Sequence, residues 1–252
     1  MSRPFIAVLG PESGPPAEIA AAAQAAGVRV TAAADPAALW ETIEQWPELI
    51  LVDLAVDGWA EAVRRAKTLP HTRMIPIVAF GEADDPASLH AARAAGCDQA
   101  LPRPRLSAAL PDLLRATLHP PVRHVAGCAE PPPPALRRGI EQFNAGAYWE
   151  CHETLEDLWN AEPRAVRDLY QGILQVGVAL HHLRQGNYAG AIKLFRRGLP
   201  RLRGFPPVCQ GVPVHEFVAA ARAVHDAAVG LGPARLDRLE LPFPRIDLRE
   251  PA

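Results

Sequence analysis

The stretch Gly146-Ala-Tyr-Trp-Glu-Cys-His-Glu-Thr-Leu-Glu-Asp-Leu-Trp159, with its downstream partner Tyr170-Gln-Gly-Ile-Leu-Gln-Val-Gly-Val-Ala-Leu-His-His182, decides how the second half of the chain folds. Projected on a helix at about 100° per residue, Tyr148, Cys151, Leu155, Leu158 and Trp159 share one arc, and His152 and Glu156 fall at its edge between Trp159 and Trp149. Two polar side chains are thereby aimed at a partly buried seam. The second stretch is apolar nearly all round, as a central helix must be, except that Gln171, Gln175 and His182 lie within roughly 40° of one another. An unpaired buried polar group costs about 1–3 kcal/mol, so the polar stripes of the two helices should meet. The spacing predicts a candidate pocket of Trp149, His152, Glu153, Glu156, Trp159, Gln171, Gln175 and His182, with the tryptophans as its walls.

The run Phe143-Asn-x-Gly146-x-Tyr-Trp-Glu-Cys-His-Glu-x-Leu-Glu-Asp-Leu-Trp159, followed by Tyr170-Gln-Gly, His181-His182 and Gly186-Asn-Tyr188, resembles the uncharacterised all-helical family known as domain of unknown function 309. The likeness spans about residues 135–230. It implies a compact helical bundle and brings no established activity with it.

A chain of 252 residues is long enough for two domains, each with its own core. The net charge of −2 and pI near 6.5 leave no electrostatic footprint for nucleic acid, and Arg196, Arg197, Arg201 and Arg203 read as a solvated or ion-paired helix face. Cys97, Cys128, Cys151 and Cys209 lack CxxC spacing, so they are expected as reduced, mostly buried thiols with neither a zinc site nor a disulfide framework. No apolar run reaches the ~18 residues of a membrane span, and the N-terminus lacks the basic and apolar regions of a signal peptide. The expected location is cytoplasmic.

The first half alternates short apolar runs at 5–9, 28–32, 49–54, 75–80 and 99–101 with Ala-rich amphipathic segments at 17–26, 36–45, 59–68, 86–95 and 107–118. Strict alternation of this kind predicts a five-stranded, doubly wound parallel sheet covered on both faces. On the run Leu49-Ile-Leu-Val-Asp53-Leu, on Gly96-Cys-Asp98 and on Leu101-Pro-Arg103-Pro104, residues 4–118 resemble the receiver domain of bacterial response regulators. The resemblance implies a flavodoxin-like fold with its functional edge at the carboxyl ends of the strands. It also implies an acidic pair for Mg²⁺, an aspartate phosphoacceptor, a hydroxyl residue after the fourth strand and a lysine before the fifth-strand proline. Here Leu9-Gly10-Pro11 stands at the acidic pair, Gly81 at the hydroxyl residue and Arg103 at the lysine, while Asp57-Gly58 arrives about two residues early. Asp53 alone survives, as a vestigial phosphoacceptor or a hydrogen-bonded carboxylate ending a strand. The loop Gly10-Pro11-Glu12-Ser13-Gly14 lacks the order of a phosphate cradle, and its flanking prolines remove backbone donors.

Between the halves, 119–134 ends in four prolines and predicts an extended, semi-rigid spacer. Helices are expected at 135–145, 147–160, 163–184, 188–202 and 213–229. Phe143-Asn-Ala-Gly146-Ala-Tyr148 is echoed by Leu183-Arg-Gln-Gly186-Asn-Tyr188, each unit reading as a turn at glycine followed by a helix. The closing 232–252 alternates apolar residues with polar ones and prolines, which predicts an extended strap across the bundle.

The organisation expected is therefore a receiver-like α/β domain at 1–118, a linker at 119–134, an all-helical domain at 135–231 and the strap. Three functions fit it. In the first, a pseudo-receiver that cannot be phosphorylated is coupled to a helical binding domain in a non-enzymatic regulator or scaffold, with no cofactor. In the second, His152, Glu156 and His182 form a divalent-metal or acid/base site of an enzyme. In the third, Asp53 works as the phosphoacceptor of a phosphorelay regulator. Receivers commonly pair through the fourth and fifth helices, so a homodimer is expected there, with Ala91, Ala92, Ala95, Leu110 and Leu113 as candidate contacts. A protein partner is expected without its identity; membrane and nucleic acid are not.

Overall fold

The computed structural model describes residues 4–11 and 14–249. The chain divides into two compact units, one running to Pro120 and the other beginning at Pro121.

In the first unit, β1 (Phe5–Leu9), β2 (Arg29–Ala33), β3 (Leu49–Asp53), β4 (Ile77–Gly81) and β5 (Gln99–Pro102) form one parallel sheet in the order β2-β1-β3-β4-β5. Around it lie α1 (Ala17–Ala25), α2 (Pro36–Ile43), α3 (Trp59–Thr68), α4 (Pro86–Ala95) and α5 (Arg103–Leu118). The period-two alternation of the strands divides the core. Ala7, Leu9, Ile50, Val52, Ile77 and Ala79 pack with Leu39, Val63 and Leu89 of α2, α3 and α4, whereas Ile6, Val8, Leu51, Val78 and Phe80 pack with Ile19 of α1 and Leu106, Leu110 and Leu114 of α5. This is the flavodoxin-like order, with the strand sequence reversing between β1 and β3. β4 starts after Pro76, later than expected, and α5 begins at Arg103 because Pro104 suits the first turn of a helix, where a missing N–H costs nothing. Glu12 and Ser13 of the glycine loop lie outside the described residues.

The expected pairing face is not apolar at the residues named for it. Ala92, Ala95 and Leu110 are in the core under the sheet, Leu113 is partly buried against it, and only Ala91 points outward. Spacing of three residues put Ala92 and Ala95 on one stripe, and the sheet took that stripe.

The second unit contains α6 (Pro134–Ala145), α7 (Tyr148–Ala161), α8 (Arg167–Arg184), α9 (Tyr188–Gly198) and α10 (Val214–Leu231), with 3-10 turns at Leu199–Leu202 and Pro233–Arg238. The central helix is α8, packed against both α7 and α9 and buried through Leu169, Tyr170, Ile173, Val176, Ala179 and Leu180. The two echoed glycines both turn the chain in the left-handed region, Gly146 at φ 75° and Gly186 at φ 72°, just where β-carbons are disfavoured. At Gly198 the α9 backbone runs against α8: a β-carbon there would sit 3.0 Å from the Gly172 carbonyl oxygen.

Two expectations are corrected. From Pro121 onward the supposed spacer is docked on the helical unit: the Arg123 N–H donates to Gly204 O at 2.7 Å, Val125 is buried, and the Gln210 N–H donates to Cys128 O at 2.7 Å. Cys128 and Cys209 are disulfide-bonded, with Cα atoms 4.5 Å apart, rather than reduced. Sequence spacing was silent because the two lie 81 residues apart and meet only through packing. Cys97 and Cys151 are free and buried, as expected of them. The strap is extended from Leu239, and Pro233–Arg238 coils before it. Ile246 anchors it, since its N–H donates to Asn144 Oδ1 at 2.9 Å and its carbonyl accepts from Asn144 Nδ2 at 2.8 Å. The strap's last residues, 250–252, lie outside the described residues. Among the described residues no helix is long and apolar enough to cross a membrane.

Candidate functional sites

At the carboxyl edge of the sheet, Asp53 ends β3 and is 3% exposed. Arg103, the first residue of α5, donates from Nη2 to both of its carboxylate oxygens at 3.0 Å. The Ala55 N–H adds a further bond to Oδ1 at 3.1 Å. Arg103 also donates from Nε to Glu82 Oε1 at 3.1 Å, and its guanidinium lies 5.0 Å from the Phe80 ring centroid. The guanidinium thus bridges two carboxylates, with Nη2 on both oxygens of Asp53 and Nε on Glu82, a reach that lysine's single ammonium would not reproduce. At the end of β1, where an acidic pair would hold Mg²⁺, the chain presents Gly10 and Pro11. At the opposite, amino edge of the sheet, Lys67 pairs with Asp98 at 2.7 Å and donates to Ile75 O at 2.9 Å, tying the end of α3 to the starts of β4 and β5.

In the helical unit a cavity of about 290 Å³ opens where α7, α8 and α9 meet. It is lined by His152, Glu156 and Trp159 of α7, by Gln171, Leu174, Gln175 and Val178 of α8, and by Leu194 of α9. Five of the eight residues expected at the pocket are brought together here. Two buried atoms among them, His152 Nδ1 and Gln175 Oε1, make no hydrogen bond. Trp149 is 57% exposed and stacks on the His152 ring, with centroids 5.8 Å apart, so it covers one side of the imidazole without lining the cavity. Glu153 is exposed and lies outside the lining.

His182 is not part of the site. It shares its direction around α8 with Gln175 but sits seven residues further along, about 10 Å at 1.5 Å per residue. Its Nδ1 instead meets Asn187 Nδ2 at 3.1 Å, the side chain that caps α9 through Gly190 N–H. Burial, then the neighbouring His181 charge, lowers its pKa, which favours a neutral imidazole. The His152, Glu156 and His182 cluster of the enzymatic alternative is therefore not assembled. Among the described residues no group of three or more His, Cys, Asp or Glu side chains could hold a metal ion. Burial also pushes the thiol of Cys97 up to about 11 and that of Cys151 up to about 12, so both stay protonated and poorly nucleophilic at neutral pH.

Leu174, Val178 and Leu194 are site residues that periodicity did not single out, being indistinguishable from core positions in sequence. Arg167 also escaped notice, although its guanidinium lies 4.8 Å from the ring centroid of Trp159. Of the arginines read as a helix face, Arg201 pairs with Asp168 at 3.1 Å and Arg196 is 5% exposed, so neither belongs to a solvated surface.

The strand order and helical coverage define the first unit as a receiver-like α/β domain. It is similar to a putative response regulator from Chloroflexus aurantiacus J-10-fl, at 18% identity and a TM-score of 0.40 over 46% of this chain and 98% of that one. It is likewise similar to the receiver domain of sensor histidine kinase PA1611 from Pseudomonas aeruginosa PAO1, solved with a magnesium ion in its active-site cleft, at 23% identity and a TM-score of 0.39 over 46% and 98% of the two chains. In the second unit, residues 136–194 match the model of the family described as Domain of unknown function (DUF309), so the receiver-like unit is followed by a stretch similar to that family. The uncharacterized protein YpuF of Bacillus subtilis (strain 168) is 43% identical over 53 residues, 21% of this chain and 30% of that protein. An uncharacterized protein of Aquifex aeolicus (strain VF5) is 24% identical over 85 residues, 33% of this chain and 26% of that protein. The chain thus spans less than a third of the length of either curated relative.

Proposed function

We propose that the protein is a non-enzymatic regulator in which the receiver-like unit cannot accept a phosphoryl group and the helical unit is the ligand-binding half. The observation that carries this reading is the two-point contact of Arg103 on Asp53. Attack on a phosphoryl donor needs a free carboxylate oxygen and a cation to offset the charge building on the transferred group. Here both oxygens are held by Arg103, and Gly10 and Pro11 supply no carboxylate to bring Mg²⁺ alongside. Swinging Arg103 away would leave a buried carboxylate without a countercharge and with only the Ala55 N–H bonded to it, which is strongly unfavourable. The arginine mimics the neutralised state and holds the edge in one arrangement.

Incubation with acetyl phosphate, or with beryllofluoride, in the presence of Mg²⁺ is expected to leave the intact mass and the tryptophan fluorescence unchanged. Trp40, Trp46 and Trp59 all belong to this unit and would report a rearrangement of its helices. A stoichiometric adduct on Asp53 would overturn the reading and restore the phosphorelay alternative.

A further inference from the structure

We propose that the Cys128–Cys209 disulfide is a thiol-exchange site: a small, uncharged thiol enters a recess beside it and attacks Cys128, forming a mixed disulfide there. The recess measures about 410 Å³, within the ~300–1,000 Å³ of small-ligand pockets, and Cys128 belongs to its lining. Val125, Pro206 and Val208 are among its apolar walls. Of the polar members, Arg123 is already engaged, with Asp168 at 3.8 Å and with Arg201 O at 3.2 Å, which leaves His124. The two bonded cysteines differ in access. Cys128 is half-buried and Cys209 is 0% exposed, so a nucleophile from solvent meets the bond at Cys128. In thiol–disulfide exchange, access decides which sulfur is attacked.

The residue after Cys209 supplies a second observation. Gln210 is 2% exposed and sits at φ 47°, a left-handed conformation that residues with a side chain rarely adopt. Its N–H donates to Cys128 O at 2.7 Å, its Nε2 donates to Gly127 O at 3.1 Å, and its Oε1 accepts from the Tyr170 hydroxyl at 2.9 Å. Backbone strain of this kind persists only where its surroundings over-determine it, and it gathers at switch regions. Two of the three restraints on Gln210 come from the segment that the disulfide anchors. In the exchange, the incoming thiolate sulfur bonds to Cys128 Sγ as the Cys128–Cys209 bond breaks, the electron pair goes to Cys209 Sγ, and Cys209 takes up the proton that the thiol gave up. The thiol sulfur is oxidised and that of Cys209 reduced. A second thiol then displaces the first from Cys128 as a symmetrical disulfide and leaves a free Cys128 thiol. Reclosure by Cys209 is slow, because a buried thiol stays protonated and attacks poorly, so the mixed disulfide accumulates. Without the cross-link, the segment from Pro121 to Glu130 rests on noncovalent contacts alone, among them the burial of Val125 and the Glu130–Arg164 ion pair. Its attachment to the helical unit then depends on the supply of thiol.

The test uses the full chain in native buffer with excess 2-mercaptoethanol, sampled over time, quenched in acid, denatured, alkylated and mapped by peptide mass. The mixed disulfide is expected on Cys128, with Cys209 alkylated, in at least tenfold excess over the reverse arrangement. Its rate of formation should rise in proportion to thiol and stay constant in urea below the unfolding transition, because the attack needs no unfolding. Val208→Trp, at a position 36% exposed in the wall of the recess, is expected to slow the reaction at least fivefold, with circular dichroism confirming the fold. Should that variant misfold, the site of attack and the urea dependence in the unaltered chain decide the question. A mixed disulfide chiefly on Cys209, a rate that climbs with urea in the native range or levels off with thiol, a bond that survives prolonged incubation, or a folded Val208→Trp that reacts at the original rate would each overturn the proposal. Asp53 and Arg103 take no part in this chemistry, so the exchange and the phosphorylation reading fail separately.

Discussion

Replacing Cys209 with serine is expected to lower the stability of the helical unit by roughly 3–5 kcal/mol. The bond joins residues 81 positions apart, and closing a loop of that length removes enough chain entropy from the unfolded state to account for about 4 kcal/mol at 25 °C. The loop it closes contains α6, α7, α8 and α9, so every helix lining the cavity is inside it. The junction is also hydrogen-bonded: Gln210 Nε2 donates to Gly127 O at 3.1 Å, and Tyr170 Oη donates to Gln210 Oε1 at 2.9 Å. Cys209 itself is fully buried, so a serine hydroxyl there adds an unsatisfied polar group to the lost cross-link. Urea unfolding with and without reductant measures the effect, and thiol titration of the denatured, unreduced chain should find two reactive cysteines rather than four. A midpoint that ignores reductant, or four free thiols, would show that the bond does not hold this unit together.

Phe143→Ala should cost about 3–5 kcal/mol, since truncating a buried aromatic loses both transfer free energy and packing around the vacated volume. Phe143 is 1% exposed on α6 and meets Tyr148 of α7 edge-on at 5.4 Å and Phe217 of α10 at 5.6 Å. A β-carbon at Gly177 of α8 would lie 3.4 Å from its ring, so four helices converge on this side chain. With a domain's net stability typically ~5–15 kcal/mol, such a loss takes a large share of it. The unfolding transition of the helical unit should move to lower denaturant while that of the receiver-like unit stays in place, because the described contacts of Phe143 lie within its own unit. Phe143→Leu should retain more than half of the lost stability. A penalty for Phe143→Ala below ~1 kcal/mol would mean that the cluster is not the point where the helices are locked.

Local order in this protein was legible from residues alone because it follows from short-range patterning. The continuous apolar runs Phe5–Leu9 and Leu49–Asp53, set between Ala-rich helical segments, predicted strands buried on both faces, and the 3.6-residue period placed His152, Glu156 and Trp159 on one side of α7 and Gln171 and Gln175 on one side of α8. A period fixes direction around an axis and carries no information about position along a neighbour. His182 therefore shared the direction of Gln175 and still lay two turns beyond the cavity, and Ala92 and Ala95 formed a stripe whose partner turned out to be the sheet. The pairings that define the chemistry are longer still in sequence: Arg103 reaches Asp53 across 50 residues and Cys128 reaches Cys209 across 81. Such meetings depend on which strand lies beside which and how the helices stack, so only the tertiary structure could decide that the surviving aspartate is clamped, that the proline-rich connection is docked, and that two polar atoms of the helical cavity are left without partners.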